Sequence, residues 1–230
     1  MKKSGNIQQL ITAGKADLKV ADHDGALQNF LDALALDKGN PEIHYFLGIT
    51  YARLKRYDAA IDYLKKVINS ELAYIHKVQT EMILGYIYTI LEDYESALTL
   101  FKDIVKSGIE SAPAYAAIGY ILDRLGKFKE AVLNLYRAIE IDSANANAHN
   151  SLGYIFAESN LNLDEALKEC KKAVTLDREN PAYLDSLGWV HYKLGELSQA
   201  RSYLKKALKY APDNNEIRHH LDVVNRESGR

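Results

Sequence analysis

A fixed period governs this chain. The phrase "SLGYIFAESN" at 151–160 returns 35 residues later as "SLGWVHYKLG", and upstream as "ILGYIYTILE" from Ile83 and "AIGYILDRLG" from Ala117. Its glycines fall at Gly14, Gly48, Gly85, Gly119, Gly153 and Gly188, spaced 34, 37, 34, 34 and 35 residues apart. A second series runs beside them at Ala26, Ala60, Ala97, Ala131, Ala166 and Ala200, 12 or 13 residues after each glycine. A period of this length means stacked copies of one small unit, because such a unit cannot bury its apolar face alone. Both departures from the period have a place. Three extra residues fall in the connection around "ELAYIHK" (71–77) and one in the turn "ESNLNLDEA" (158–166). An insertion inside a helix would turn its apolar face by about 100°, so connections are where insertions are tolerated.

The unit itself is a helical hairpin. In residues 112–145, Tyr115, Ile118, Gly119 and Leu122 stand at i, i+3, i+4 and i+7, one stripe of a helix. Ala131, Leu135, Ala138 and Ile139 form the stripe of a second helix. Between them "LGKF" places a glycine at the helix end. Small residues at Gly119 and Ala131 let the two backbones approach. The periodicity divides the chain into a tail (1–6), six units (7–40, 41–74, 78–111, 112–145, 146–180 and 181–214) and a last helix with its tail (215–230). The first unit is the weakest copy, with Ala13 and Asp17 at places of large apolar residues. Ile217, Leu221 and Val224 give the last helix one apolar stripe among polar faces, as expected of a cap that ends the stack.

These residues resemble the tetratricopeptide repeat, whose pattern is aromatic-x2-Leu-Gly-x2-Tyr, then Ala-x3-Phe, then Pro. His44, Leu47, Gly48 and Tyr51 match one first helix, with Ala60, Leu64 and Val67 in its second. Leu84, Gly85, Tyr88, Ala97 and Phe101 match the next, and Leu187, Gly188, His191, Ala200, Leu204 and Pro212 the last. The opening aromatic is usually replaced, and Pro41, Pro113 and Pro181 begin the following unit instead of closing one. The resemblance implies an all-α, right-handed superhelical solenoid of six antiparallel helix pairs plus a C-terminal capping helix. It also implies that the first helix of each pair lines a concave groove, and that the protein is a non-catalytic interaction module, an adaptor or scaffold.

The residue after each glycine is rotated about 100° from it, toward that groove. In order these are Lys15, Ile49, Tyr86, Tyr120, Tyr154 and Trp189. One turn before lie Tyr45, Met82, Ala116, Asn150 and Asp185, and one turn after lie Ala52, Thr89, Asp123, Ala157 and Tyr192. The expected binding surface is an aromatic ladder with few charges, made of Tyr45, Ile49, Met82, Tyr86, Tyr120, Asn150, Tyr154, Asp185, Trp189 and Tyr192, with a polar corner near Asn147. Such a ladder suits an extended peptide or an amphipathic helix of a partner protein. The competing expectation is that the rings pack on one another across repeats and stiffen the solenoid. A competing function is self-assembly, a homo-oligomer in which the groove receives another copy of the chain. Members that grip the carboxylate tail of chaperones carry a lysine–asparagine pair on the first groove helix. The equivalent pairs here, such as Tyr45/Ile49 and Asn150/Tyr154, lack it, which argues against that ligand.

Other chemistry finds little support. Net charge is −2, with 29 basic and 31 acidic residues, which does not mark a nucleic-acid binder. No phosphate-cradling loop or His-Glu-x-x-His occurs, so neither an enzyme nor a cofactor is expected. Glu216 and His219 in "EIRHH" are half of a carboxylate–histidine metal motif without a second half; no metal site is expected, and both histidines are read as solvated. Cys170 is a lone cysteine expected to be a buried, inert thiol. Lys65, Lys66, Lys102, Arg137, Lys171, Lys172, Lys205 and Lys206 form a periodic outer ridge read as solvated. Without a transmembrane-length apolar run or a secretory signal, the default compartment is the cytoplasm, and a trimmed export signal or a peripheral membrane location leaves the same sequence.

Overall fold

The computed structural model describes residues 2–71 and 74–228. Among them are thirteen α-helices and no strands: α1 (Lys2–Lys19), α2 (His23–Leu36), α3 (Pro41–Arg53), α4 (Tyr57–Ile68), α5 (Tyr74–Ile90), α6 (Tyr94–Lys106), α7 (Ala112–Arg124), α8 (Phe128–Ile141), α9 (Ala146–Ser159), α10 (Leu163–Leu176), α11 (Pro181–Lys193), α12 (Leu197–Tyr210) and α13 (Asn215–Ser228). The fold is all-α, a solenoid of helix pairs. The chain divides into two compact units, Met1–Ile104 and Val105–Arg230.

Local chemistry sets the helix starts. Asn40 Oδ1 accepts from the backbone N–H groups of Glu42 and Ile43 at 3.0 and 3.3 Å, and Asn180 Oδ1 accepts from Ala182 N–H at 3.0 Å. Each precedes a proline in the first turn, where the missing N–H costs nothing. The prolines therefore open helices because an asparagine cap stands before them. Ser111 and Asn145 cap α7 and α9 in the same way. The second helices α4, α8 and α12 have no side-chain cap. All six second helices, α2, α4, α6, α8, α10 and α12, follow a tight turn whose residue, seven after the repeat glycine, is left-handed. Those residues are Ala21 (φ 60°), Lys55 (58°), Glu92 (59°), Gly126 (72°), Asn160 (52°) and Gly195 (78°). In the sequence, glycine marks this turn at Gly126 and the one-residue insertion marks it within 158–166. Of the positions without glycine, Ala21, Lys55 and Glu92 carry side chains that disfavour it, whereas Asn160 tolerates it.

The glycine series explains the close helix pairs. A Cβ on Gly48 would stand 2.5 Å from Leu64, on Gly85 2.6 Å from the Phe101 ring, and on Gly119 2.5 Å from Leu135. On Gly153 it would meet Cys170 Sγ at 2.5 Å, and also the Ala166 carbonyl at 2.9 Å. The corresponding carbonyl distances at Gly48 and Gly119 are 3.5 and 3.2 Å. Where cysteine replaces leucine, α9 and α10 approach more closely.

In the first unit, Ile11, Ala26, Phe30, Ala33, Ile43 and Leu47 form one buried cluster, and Ala60, Leu64, Leu84 and Ile87 another. Asp17, the polar substitute in the weak first repeat, accepts from Asn29 Nδ2 at 2.8 Å and so ties α1 to α2. The helix α1 already begins at Lys2, so residues 2–6 continue it rather than forming a separate tail. Residues 74–77 likewise lengthen α5 to 17 residues, against 13 in α3, rather than forming a connection. An extension before the stripe leaves its phase unchanged. In the second unit, Ala157, Ala166, Cys170, Leu187 and Val190 are buried together, followed by Leu184, Ala200, Leu204, Ala207, Ile217 and Val224. The last cluster seats α13 on α11 and α12.

Candidate functional site

The predicted groove residues do not share one environment. In the first unit, Tyr45 is buried: its hydroxyl donates to Gln79 Oε1 at 3.0 Å, and its ring packs edgewise on His76 and Phe46. It fastens α3 to α5, which is the packing role. Ile49 and Met82 are half-buried. Tyr86 is 42% exposed, with its ring edge against Phe101, 5.2 Å between centroids. Lys15 pairs with Glu42 at 2.5 Å and stands over the Phe46 ring.

In the second unit the groove helices α7, α9 and α11 meet the start of α13 around an open cleft of about 200 Å³. Tyr120, Asn150, Tyr154 and Asp185 line it together with Asp123, Arg124, Asn214 and Glu216. Tyr120 is 41% exposed, and Tyr154 is half-buried. Burial pushes the Tyr154 hydroxyl well above the usual tyrosine range, and Glu158, Glu216, Asp185 and Asp123 push the same way. Burial also raises the Asp123 carboxyl, with Arg124 opposing and Glu158 adding to the rise. Asn150 Oδ1 is buried and accepts no hydrogen bond. The expectation of few charges is thus corrected here: this stretch of the groove is acidic. Spacing already places Asp123 and Asp185 on this face; Glu216, which belongs to the cap and lies outside the repeat register, adds the third carboxylate.

Trp189 lies beside this cleft and is committed to structure. Its ring stacks on His220 of α13 (4.2 Å between centroids) and on Tyr192 (4.7 Å), and its Nε1–H donates to Glu158 at 2.5 Å. His220 is buried and its Nδ1 sits 2.9 and 3.0 Å from the two oxygens of Asp185, also buried. Tyr192 donates to Glu227 at 2.9 Å. Asp185, Trp189 and Tyr192 therefore lock α13 onto α11. His220, expected from the sequence to be solvated, is buried because the cap packs as the first helix of a further repeat would. Its neighbour His219 is exposed. The anticipated polar corner is partly used up, since Asn147 Oδ1 accepts from the Tyr183 hydroxyl at 2.6 Å. Ala157, placed on the groove face by its spacing, is fully buried. Cys170 is fully buried, and burial drives its thiol pKa upward. No helix of the described residues is long and apolar enough to cross a membrane.

Family profiles described as tetratricopeptide repeat match residues 11–72 and 181–214, and one described as TPR repeat matches 114–160; between them they cover more than half of the chain. The TPR repeat-containing protein PA4667 of Pseudomonas aeruginosa is 43% identical over 77 residues, 34% of this chain and 13% of its own length. The BBSome complex member BBS4 of Bos taurus is 25% identical over 205 residues, 88% of this chain and 38% of its own. The chain thus spans well under half of either relative. Among solved structures, pilF of Pseudomonas aeruginosa superposes with a TM-score of 0.76 at 12% identity, covering 99% of this chain and 100% of the other. The repeat glycines, the helix pairs packed over them and the matched profiles agree: the chain belongs to the tetratricopeptide-repeat family of protein-interaction modules.

Proposed function

We propose that the protein is a non-catalytic adaptor or scaffold that holds a peptide or amphipathic helix of a partner protein along its first-helix face. The observation that carries this reading is the exposure of Tyr86 and Tyr120, each about two-fifths open, at the position after the repeat glycine, which the glycine–alanine–leucine contact of the hairpin does not itself use. Leucine, glycine and alanine already close the hairpins, so an aromatic ring left partly in water is available to a ligand. If three such rings contributed about 2 kcal/mol each, affinity in the micromolar to sub-millimolar range would follow. That the bovine relative is named as a member of a complex supports an assembly role.

Self-assembly is the second reading, and it too has an observation. Phe128, Leu133 and Tyr136 on α8 are 55%, 69% and 45% exposed, within an arc of about 140° on one helix. Affinity capture from native lysate separates the two. Wild type is compared with Tyr120→Ala/Tyr154→Ala, after circular dichroism and melting show both folded. A partner held by wild type and lost by the variant supports the groove. A partner held equally by both refutes it, and recovery of the chain's own copies alone favours self-assembly.

A further inference from the structure

The cleft between α7, α9, α11 and α13 has more definite chemistry than the rest of the groove. We infer that it is a pocket for a cationic side chain, arginine or lysine, projecting from the bound partner peptide; the inference rests on the groove reading above. At about 200 Å³ it is smaller than the roughly 300–1,000 Å³ of small-molecule sites, a size suited to one side chain. Its charged lining is Asp123, Asp185 and Glu216 against the single guanidinium of Arg124. Asp185 is held by His220, which leaves Asp123 and Glu216 as the carboxylates facing a ligand. Tyr120 and Tyr154 add aromatic faces to the same cleft, and a cation over such a ring is attracted by its quadrupole.

Two further features point the same way. Asn150 Oδ1, in the same lining, is an acceptor with no donor. An anionic ligand such as a peptide carboxylate would face like charges, which interfaces select against. Burial is the main cause of the raised Asp123 and Tyr154 ionisations, which places both groups away from bulk water, as a side-chain pocket requires.

The test is selection of a random dodecapeptide library against the full chain, followed by fluorescence anisotropy on the recovered peptides. The pocket predicts an arginine or lysine at one fixed position. Its replacement by neutral citrulline or glutamine should weaken binding about tenfold, and Asp123→Asn/Glu216→Gln should do the same. Both changes together should cost no more than either alone, because they remove one interaction. Peptides that lose affinity on Tyr120→Ala/Tyr154→Ala, yet need no basic residue and ignore the carboxylate variant, overturn the pocket and leave the groove standing. Peptides indifferent to both variants, or a library with no binders, overturn the groove and the pocket with it.

Discussion

Removing the His220 imidazole isolates the device that closes the stack. In His220→Ala, the buried Asp185 carboxylate loses a donor 2.9–3.0 Å away, and Trp189 loses the ring stacked at 4.2 Å. A hydrogen bond to a charged group contributes about 1.5–3 kcal/mol, and an aromatic pair about 0.5–1.5 kcal/mol. Together they set an expected loss of about 2–4 kcal/mol. Stability in a repeat array is distributed over neighbours, so the loss should fall first on α13. Amide hydrogen exchange across 215–228 reads it directly, with exchange about 30- to 900-fold faster in the variant. His219→Ala is the control, because that neighbour is exposed and should change stability by no more than about 0.5 kcal/mol. Equal effects from the two variants, or unchanged exchange in His220→Ala, would refute the assignment of the cap to this pair.

Gly153→Ala should destabilise by about 1–3 kcal/mol in urea unfolding, despite alanine's better helix propensity. Its Cβ would press on the backbone carbonyl of Ala166, which no rotamer change relieves. Lys55→Gly should act in the opposite sense and raise stability by about 0.5–1 kcal/mol, because the left-handed turn at φ 58° strains an L-residue more than glycine's extra unfolded entropy costs. A destabilised Lys55→Gly would contradict the turn account. Asp123→Asn should raise the melting temperature at pH 7. The folded-state pKa of Asp123 is raised, so the folded protein binds its proton more tightly and the ionised group opposes folding above that pKa. The gain should shrink as the pH falls through the raised folded-state value toward the ordinary aspartate range and be lost below it, and a gain that persists at about pH 3 would refute that cause.

The repeat architecture is legible in the sequence because glycine, alanine and leucine recur where helix packing demands them. The Gly153–Cys170 contact shows how literal the code is: the smaller partner and the closer helices appear together. The groove is less legible. Spacing places Tyr45, Tyr154 and Trp189 on one face, but burial depends on what the next repeat presents: Gln79 and His76 cover Tyr45, and His220 covers Trp189. The cap's part in the cleft is hidden for a related reason. Its sequence lacks the repeat signature, so Glu216 and His220 carry no periodic label, although they stand where a seventh repeat would place its first helix.

The most direct test of the account is site-specific photocrosslinking in native lysate, with the crosslinking residue placed at Tyr120 or Tyr154 in the groove and at Leu133 or Tyr136 on α8. The account predicts a shared crosslinked partner from positions 120 and 154 and none from 133 and 136. Crosslinks from 133 and 136 alone would contradict it and move the working surface to the outer helix.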